Sequence, residues 1–183
     1  MEIVEHLTGP DYNVMVIDNV IPNLDKYDIE SWYDFSNYTP FKFPGRHREF
    51  ILQQHVATDE VIRLGNQLYE DLKPVLNTPD NTYMSSGTHT LSWVDKGVGA
   101  IPPHNDTGHF AGVTIFTNLN WDMQWGGWNI TMSEVEDRIV RVTSPKFNRA
   151  VIVMGGTLHA AVPVYEDRVR KTLQYFITYN AKD

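Results

Sequence analysis

Hydrophobic residues recur at three- and four-residue intervals most clearly over residues 58–76. Such spacing places them on one face of an α-helix, and two acidic residues in the first turn suit the positive end of the helix dipole. The pattern therefore predicts an amphipathic helix whose apolar stripe is buried against another element. The stripe consists of Val61, Leu64, Leu68 and Leu72.

After about residue 82 the pattern changes to short runs rich in β-branched and aromatic residues, separated by turns. Before that point, residues 12–18 predict a strand and residues 23–37 a short helix. Strands at this spacing favour a sandwich, jelly roll or barrel, with the early helices packed on one sheet. The predicted strands cover residues 88–94, 111–119, 127–131, 138–143, 149–154, 158–164 and 171–179.

The chain has 183 residues, of which 42% are hydrophobic, which suffices for one well-filled core. We therefore expect a single domain over residues 1–183, with a helix-rich N-terminal part (1–82) and a β-rich core (83–180). The sequence has neither the roughly 18 consecutive apolar residues of a membrane span nor a signal-peptide pattern at its start. These features predict a cytoplasmic protein with no membrane partner.

The charge and the cysteine count limit the possible chemistry further. A net charge of -8 disfavours nucleic acid as a partner, because nonspecific affinity for phosphate backbones comes from clustered Lys and Arg. There is no cysteine, so disulfides, thiolate catalysis and Cys-ligated zinc are excluded. A metal site in this chain must use His, Asp and Glu.

One candidate for such a site is the motif HND at residues 104–106. If these residues continue a strand, His104 and Asp106 point to the same face and present an imidazole and a carboxylate to one ion. A second histidine, His159, lies inside an apolar strand near the C-terminus. Together the three residues supply the two imidazoles and one carboxylate of the facial triad that binds Fe(II) and leaves three positions open.

The order of these motifs resembles the 2-oxoglutarate- and Fe(II)-dependent dioxygenases, specifically the prolyl 4-hydroxylase-like branch. That family has an HxD motif, a distal histidine well downstream and a basic residue shortly after it. The resemblance covers roughly residues 88–179. Its matching segments are HND (104–106), VTIFTNLNW (113–121), WGGWNI (125–130), FNRAVIVM (147–154), HAAVPV (159–164) and RKTL (170–173).

The resemblance implies a mainly β fold, the double-stranded β-helix or cupin-like jelly roll, with N-terminal helices on the larger sheet. It also implies that Fe(II), 2-oxoglutarate and O2 together hydroxylate an unactivated C–H bond. The metal ligands and catalytic residues would be His104, Asp106 and His159. Related halogenases have a small residue at the position of Asp106, so its carboxylate indicates hydroxylation. The implied substrate is a prolyl or other residue in a peptide, or a free amino acid or similar small molecule.

The family binds the distal carboxylate of 2-oxoglutarate with a cation from the strand after the distal histidine. Arg168, Arg170 and Lys171 compete for this role, and we favour Arg170 because RKTL reproduces the family's R-x-S/T-L motif. Thr172 would then share the carboxylate. One objection to Arg170 is that Leu173 begins the other, more apolar face of the strand, which would ordinarily be the face turned to the interior. If helices back that sheet, however, the apolar face points outward and Arg170 points inward.

Other expected contacts are less specific. Trp93 stands where the family often has a tyrosine beside the cosubstrate. Asn118 and Asn120, on the strand after the HND loop, are expected to hydrogen-bond the cosubstrate or the substrate. The tryptophans near the Gly126-Gly127 turn favour packing over a substrate-stacking wall. The basic and aromatic segment at 41–50 is either a loop that covers the substrate or a solvated surface loop.

Two other functions are open at this stage. A jelly-roll domain can retain a metal site without catalysis, since a fold does not guarantee an activity. A dioxygenase that modifies nucleic acids is the other, and the acidic charge disfavours it. Formation of succinate from 2-oxoglutarate with Fe(II) would distinguish the hydroxylase from the non-catalytic module.

Overall fold

The computed structural model describes residues 1–34, 38–41, 52–92, 100–165 and 168–180. Within these ranges the chain forms twelve strands, one α-helix and three short 3-10 helices. The helix α1 is Asp59–Leu76. The strands are β1 (Glu2–Thr8), β2 (Asn13–Asp18), β3 (Tyr38–Phe41), β4 (Leu52–His55), β5 (Thr82–Ser92), β6 (Ile101–His104), β7 (His109–Phe116), β8 (Asn129–Ser133), β9 (Arg138–Thr143), β10 (Arg149–Met154), β11 (His159–Ala161) and β12 (Val169–Tyr179).

The strands form two antiparallel sheets. The larger sheet has the order β1-β2-β10-β7-β12-β5-β4-β3, and the smaller has the order β6-β11-β8-β9. From β5 to β12 the chain crosses between the sheets at every connection except that from β8 to β9. This winding is the double-stranded β-helix, so the predicted fold class is confirmed.

Helix α1 covers the outer face of the larger sheet, as its apolar stripe predicts. The Thr58 side chain caps its first turn by accepting a hydrogen bond from the Val61 backbone N–H at 3.3 Å. At the other end Asn77 adopts a left-handed conformation that stops the helix. The Tyr175 hydroxyl donates to the Val61 carbonyl at 3.0 Å and ties the helix to β12. All four stripe residues are buried in the main hydrophobic core.

The helix predicted at residues 23–37 is wrong. The described part of this segment forms two short 3-10 helices, Leu24–Lys26 and Ile29–Trp32, while residues 35–37 lie outside the described residues. Asn23 has a left-handed conformation and Tyr27 is extended, so a continuous helix is interrupted at both points. Burial of the side chains overrides helix propensity here. The buried residues of the segment are Leu24, Ile29, Trp32 and Tyr33.

All seven strands predicted after residue 82 are present, and β9 and β10 have the predicted bounds. The N-terminal part adds strands to both edges of the larger sheet, namely β1 and β2 at one edge and β4 and β3 at the other. Of these, the hydrophobic pattern predicts only β2. Edge strands such as β1 are mostly exposed, so their sequence lacks a hydrophobic face.

Strand β12 separates the helix-covered core from the interior of the barrel. It pairs along its length with β5 on one side, and residues 172–178 pair with β7 on the other. Leu173 and its alternate neighbours join the core under α1, whereas Arg170 and Thr172 are buried on the opposite face. A second, smaller apolar cluster lines that interior, formed by Val14, Phe116, Val151 and Val153. Among the residues described, no helix is long and apolar enough to cross a bilayer.

Candidate metal centre

Strand pairing brings the two histidines of the predicted triad together. His104 is the last residue of β6 and His159 the first of β11, and the two residues are direct partners across this antiparallel pair. Their ring centroids lie 4.3 Å apart. Two imidazoles that are 55 positions apart in sequence are therefore neighbours because of the register of the smaller sheet.

Asp106 completes the group from the turn that follows β6. Its Oδ1 lies 3.8 Å from Nε2 of His104, and its Oδ2 lies 3.5 Å from Nε2 of His159. One potential ligand atom from each of the three residues lies within 4.8 Å of the others. This grouping could hold one metal ion with two nitrogen ligands and one oxygen ligand.

Sequence reasoning about Asp106 needs one correction, because β6 ends at His104 and Asp106 does not continue the strand. Asp106 instead lies in a tight turn, in which the His109 backbone N–H donates to the Asp106 carbonyl at 3.1 Å. This turn is packed against Gly155, where a Cβ would lie 2.0 Å from the His109 carbonyl oxygen. Only glycine permits such a close approach of the two loops.

Backbone carbonyls orient both imidazoles. Nδ1 of His104 lies 2.9 Å from the Pro102 carbonyl oxygen, and Nδ1 of His159 lies 3.0 Å from that of Thr157. A proton on each Nδ1 leaves Nε2 as the electron-pair donor that faces Asp106. Burial, and then the neighbouring His104, lower the pKa of His159 below its ordinary value. His159 is therefore held in the neutral form that binds metals.

Arg170 lies deep in the barrel, and no described residue pairs with its charge. It is 2% exposed, its guanidinium carbon lies 4.9 Å from the centre of the Phe116 ring, and burial lowers the pKa of the guanidinium to about 10. Its Nε is buried and has no hydrogen-bond partner among the residues that the structure describes. Gly127 makes room for this side chain, because a Cβ there would lie 3.0 Å from Cδ of Arg170.

The two competing cations point elsewhere. Arg168 is exposed, and its guanidinium lies 4.2 Å from the centre of the Trp125 ring. Lys171 forms an ion pair with Glu30 on the side of β12 that faces the 3-10 helices. Of the three candidates, only Arg170 is placed inside the barrel. Thr172 is 1% exposed and lies on the same face of β12 as Arg170.

Asn118 has a structural role in this fold. Its Nδ2 donates to the Val169 carbonyl at 2.9 Å, and its Oδ1 accepts from the Lys171 backbone N–H at 2.7 Å. Both ends of the amide thus fix the start of β12, next to Arg170. Asn120 lines a surface pocket with Trp121.

The remaining predicted contacts either pack within the fold or lie outside the described residues. The indole of Trp121 donates to the Gly126 carbonyl at 3.0 Å and meets Trp125 edge to face, and that of Trp128 donates to the Met123 carbonyl at 3.0 Å. These contacts agree with a packing role. Trp93 and residues 42–50 of the basic segment lie outside the described residues.

Sequence reasoning missed a set of buried polar atoms on β8 and β9. Each belongs to a residue that is at most 5% exposed, and none has a hydrogen-bond partner among the described residues. The alternating burial of β8 places two of these side chains on one face. In the sequence, only the polar residues at alternate positions could have indicated these buried atoms. The atoms are Asn129 Oδ1, Thr131 Oγ1 and Thr143 Oγ1.

No protein-family model and no curated protein matches this sequence, but many solved structures match the fold. Among them are prolyl hydroxylases and other 2-oxoglutarate- and Fe(II)-dependent oxygenases, and the chain has their fold. The resemblance seen in the sequence motifs is thus confirmed at the level of the fold.

Three of these solved structures show how similar the matches are in fold and in sequence. A Pseudomonas putida prolyl-4-hydroxylase has a TM-score of 0.64 at 14% identity, covering 92% of this chain and 93% of its own. A Trichoplax adhaerens prolyl hydroxylase, in complex with a peptide of the hypoxia inducible factor oxygen degradation domain, has a TM-score of 0.69 at 15% identity, covering 91% and 83%. The α-ketoglutarate-dependent carbocyclase SnoK from nogalamycin biosynthesis has a TM-score of 0.67 at 12% identity, covering 92% and 80%.

Proposed function

We propose that this chain is an Fe(II)- and 2-oxoglutarate-dependent oxygenase that hydroxylates an unactivated C–H bond. The observation that carries the proposal is the combination, within one barrel, of a His-Asp-His group and a buried arginine whose Nε has no partner among the described residues. A metal and an anionic cosubstrate account for both features at once. The fold of the chain agrees with this function.

In this proposal His104, Asp106 and His159 hold the metal through their Nε2 and carboxylate atoms. One carboxylate and two neutral imidazoles leave a divalent ion with about one positive charge, which favours an anionic second ligand. Three ligands also leave three positions open. When bound, iron and 2-oxoglutarate supply, with O2, the oxidant for the C–H bond.

Arg170 would bind the distal carboxylate of 2-oxoglutarate, with the Thr172 hydroxyl beside it. A buried cation without a partner is unfavourable, so a carboxylate that pairs with it gains a strong charge-assisted hydrogen bond. The Nε of Arg170, which no described residue contacts by a hydrogen bond, supports this assignment. The similarly unpartnered polar atoms of Asn129, Thr131 and Thr143 offer further contacts in the interior.

The other residues of the site orient these groups and exclude water. Asn118 fixes the backbone on both sides of Arg170, and we propose it as a support rather than a direct contact. Phe116 and the valines of the interior cluster form an apolar wall. Such a wall strengthens the electrostatic interactions inside the site and keeps solvent away from reactive species.

For the substrate we propose a prolyl or other residue in a peptide, or a free amino acid or similar small molecule. The solved complex of the Trichoplax prolyl hydroxylase with a peptide supports a peptide substrate. The match to an enzyme of nogalamycin biosynthesis supports a small molecule. A screen of both classes with mass spectrometry of the products would separate them.

The direct test compares His159→Ala with the unmodified chain. We expect the variant to lose tight binding of Mn(II), measured by calorimetry, and to lose succinate formation from 2-oxoglutarate with Fe(II). His6→Ala is a suitable control, because His6 is a surface residue whose imidazole contacts Asn13. Undiminished turnover in His159→Ala would refute the assignment. Succinate formation by the unmodified chain would support the enzyme over a non-catalytic module that only binds metal and 2-oxoglutarate.

A further inference from the structure

Gln174 lies on the interior face of β12, in alternation with Arg170 and Thr172. The Thr114 hydroxyl on β7 donates to Oε1 of Gln174 at 2.7 Å. Because Oε1 is engaged by this bond, the orientation of the amide is fixed and its Nε2 is directed away from Thr114. Nε2 itself forms no hydrogen bond with any residue that the structure describes, so its two N–H donors are available to another group.

Nε2 of Gln174 and the carboxylate of Asp106 face the same space, which exists because residue 112 is a glycine. A Cβ on Gly112 would lie 3.1 Å from Oδ2 of Asp106 and 3.8 Å from Nε2 of Gln174. The third neighbour of this point is the ring of Phe176, at 3.6 Å. A side chain at position 112 would occupy space that borders both the donor and the acceptor.

We propose that Gln174 is a positioning residue for Asp106. Its amide donates a hydrogen bond, directly or through one water, to the carboxylate oxygen that the metal leaves free. Thr114 acts indirectly, through Gln174, because its hydroxyl determines which end of the amide faces Asp106. This inference rests on the proposed function, in which Asp106 is a metal ligand.

The physical reason is that a ligand carboxylate must be held in one orientation for its metal. Hydrogen bonds from outer residues fix that orientation, and their removal typically weakens metal binding by about 10- to 100-fold. In this site the backbone carbonyls of Pro102 and Thr157 orient the two histidines. Gln174 is the group that would do the same for Asp106.

The test measures Co(II) binding to the metal-free protein through the d–d absorption of the bound ion, with no cosubstrate present. Gln174→Leu should raise the Kd for Co(II) by about tenfold and alter the absorption spectrum. Thr114→Val keeps the amide but releases its orientation, and should raise the Kd by a smaller factor. The double variant should bind no more weakly than Gln174→Leu, because Thr114 acts through Gln174. Gln67→Leu, which removes an exposed glutamine on α1 whose amide donates to Asp71, is the matched control.

A Kd within twofold of the unmodified value in Gln174→Leu would overturn the inference, and so would additive effects in the double variant. If Gln174→Leu does not fold, Thr114→Val decides, and an unchanged Kd in that variant overturns the inference. His159→Ala separates this test from the proposed function. If His159→Ala binds Co(II) as tightly as the unmodified chain, the metal centre itself is wrong. If only His159→Ala is impaired, the metal centre stands and the role of Gln174 is refuted.

Discussion

Among the described residues, an aspartate and an arginine are buried, and the chain treats the two charges in opposite ways. Asp18, which is 6% exposed, accepts hydrogen bonds from Lys146 at 2.5 Å and from two nitrogens of Arg149 at 2.6 and 3.0 Å. Arg170, which is 2% exposed, faces the ring of Phe116, and its Nε has no partner in the described part of the chain. One charge is paired within the chain, and the other is the charge that we propose binds the cosubstrate.

The difference separates a charge that is paired within the fold from the charge for which we propose a role in binding. The ion pairs of Asp18 join β2 to the end of β10, and their partners come from the same chain. The unpaired guanidinium of Arg170 lowers the stability of the ligand-free protein, and its depressed pKa of about 10 reflects that burial. In the proposed function, pairing with the carboxylate of the cosubstrate would offset this unfavourable burial.

The largest expected effect comes from breaking the paired site. Asp18→Asn leaves Arg149 and Lys146 without their anion, so the free energy of unfolding should fall by about 3 kcal/mol. Urea denaturation followed by fluorescence measures this loss. A decrease below about 1 kcal/mol would show that the pairs behave as exposed surface salt bridges.

The unpaired site should respond in the opposite sense. Arg170→Met removes a buried charge and keeps an apolar side chain, so the ligand-free protein should be as stable as before or more stable. Its Kd for 2-oxoglutarate, measured by calorimetry on Mn(II)-loaded protein, should rise at least tenfold, about 1.4 kcal/mol. Arg168→Met is the matched control, because Arg168 is exposed on the ring of Trp125. A larger effect in that control would show that Arg168 binds the cosubstrate.

Two buried threonines test the same contrast between a paired and an unpaired buried group, with smaller expected effects on stability. The Thr143 hydroxyl has no partner among the described residues, whereas that of Thr117 lies 2.7 Å from the Tyr33 hydroxyl. Thr143→Val should therefore leave stability unchanged or raise it by up to about 1 kcal/mol, and Thr117→Val should lower it by about 1 to 2 kcal/mol. Equal losses in both variants, measured by thermal unfolding, would mean that the Thr143 hydroxyl is also satisfied.

His159 adds a third buried group, one that avoids the burial of a charge by staying neutral. Burial and the neighbouring His104 lower its pKa in the folded chain, so as the pH falls the unfolded chain takes up this proton first. Protonation then favours unfolding, and the metal-free protein should lose stability below about pH 6.5, by less than about 1.4 kcal/mol per pH unit from this group. His159→Gln should lose less stability between about pH 7 and pH 5.5 in urea denaturation. An equal loss of stability in the unmodified chain and in His159→Gln would contradict a lowered pKa of His159.

Local patterns predicted the parts of the fold in which one face of an element is apolar. The stripe of α1 and the alternation of β12 both belong to this kind. The alternation of β12 also predicted two orientations for the case in which helices cover that sheet: Leu173 facing the helices and Arg170 facing inward. Both orientations are observed. The segment 23–37 failed because its apolar side chains are buried by 3-10 turns that have no helical period.

The candidate site depends on register, which a single sequence does not display. The motif HND and His159 identified the three residues that the structure brings together, although their role as ligands stays a prediction. Thr131 lies opposite His159 only through the pairing of β8 with β11. Likewise, Gln174 meets Thr114 only through the pairing of β12 with β7. Such neighbours are set by sheet geometry rather than by any local pattern.

The double-sided pairing of β12 also restricts how this protein can change in length. A deletion or insertion of one residue within the strand would turn every side chain on one side of it to the other face. Either Arg170 would leave the interior, or Leu173 and its alternate neighbours would leave the core under α1. Because β5 and β7 pair with β12 on both edges, the strand cannot slide along its own axis to restore the original register. A single-residue change of length in β12 should therefore disturb more of the fold than a single substitution does.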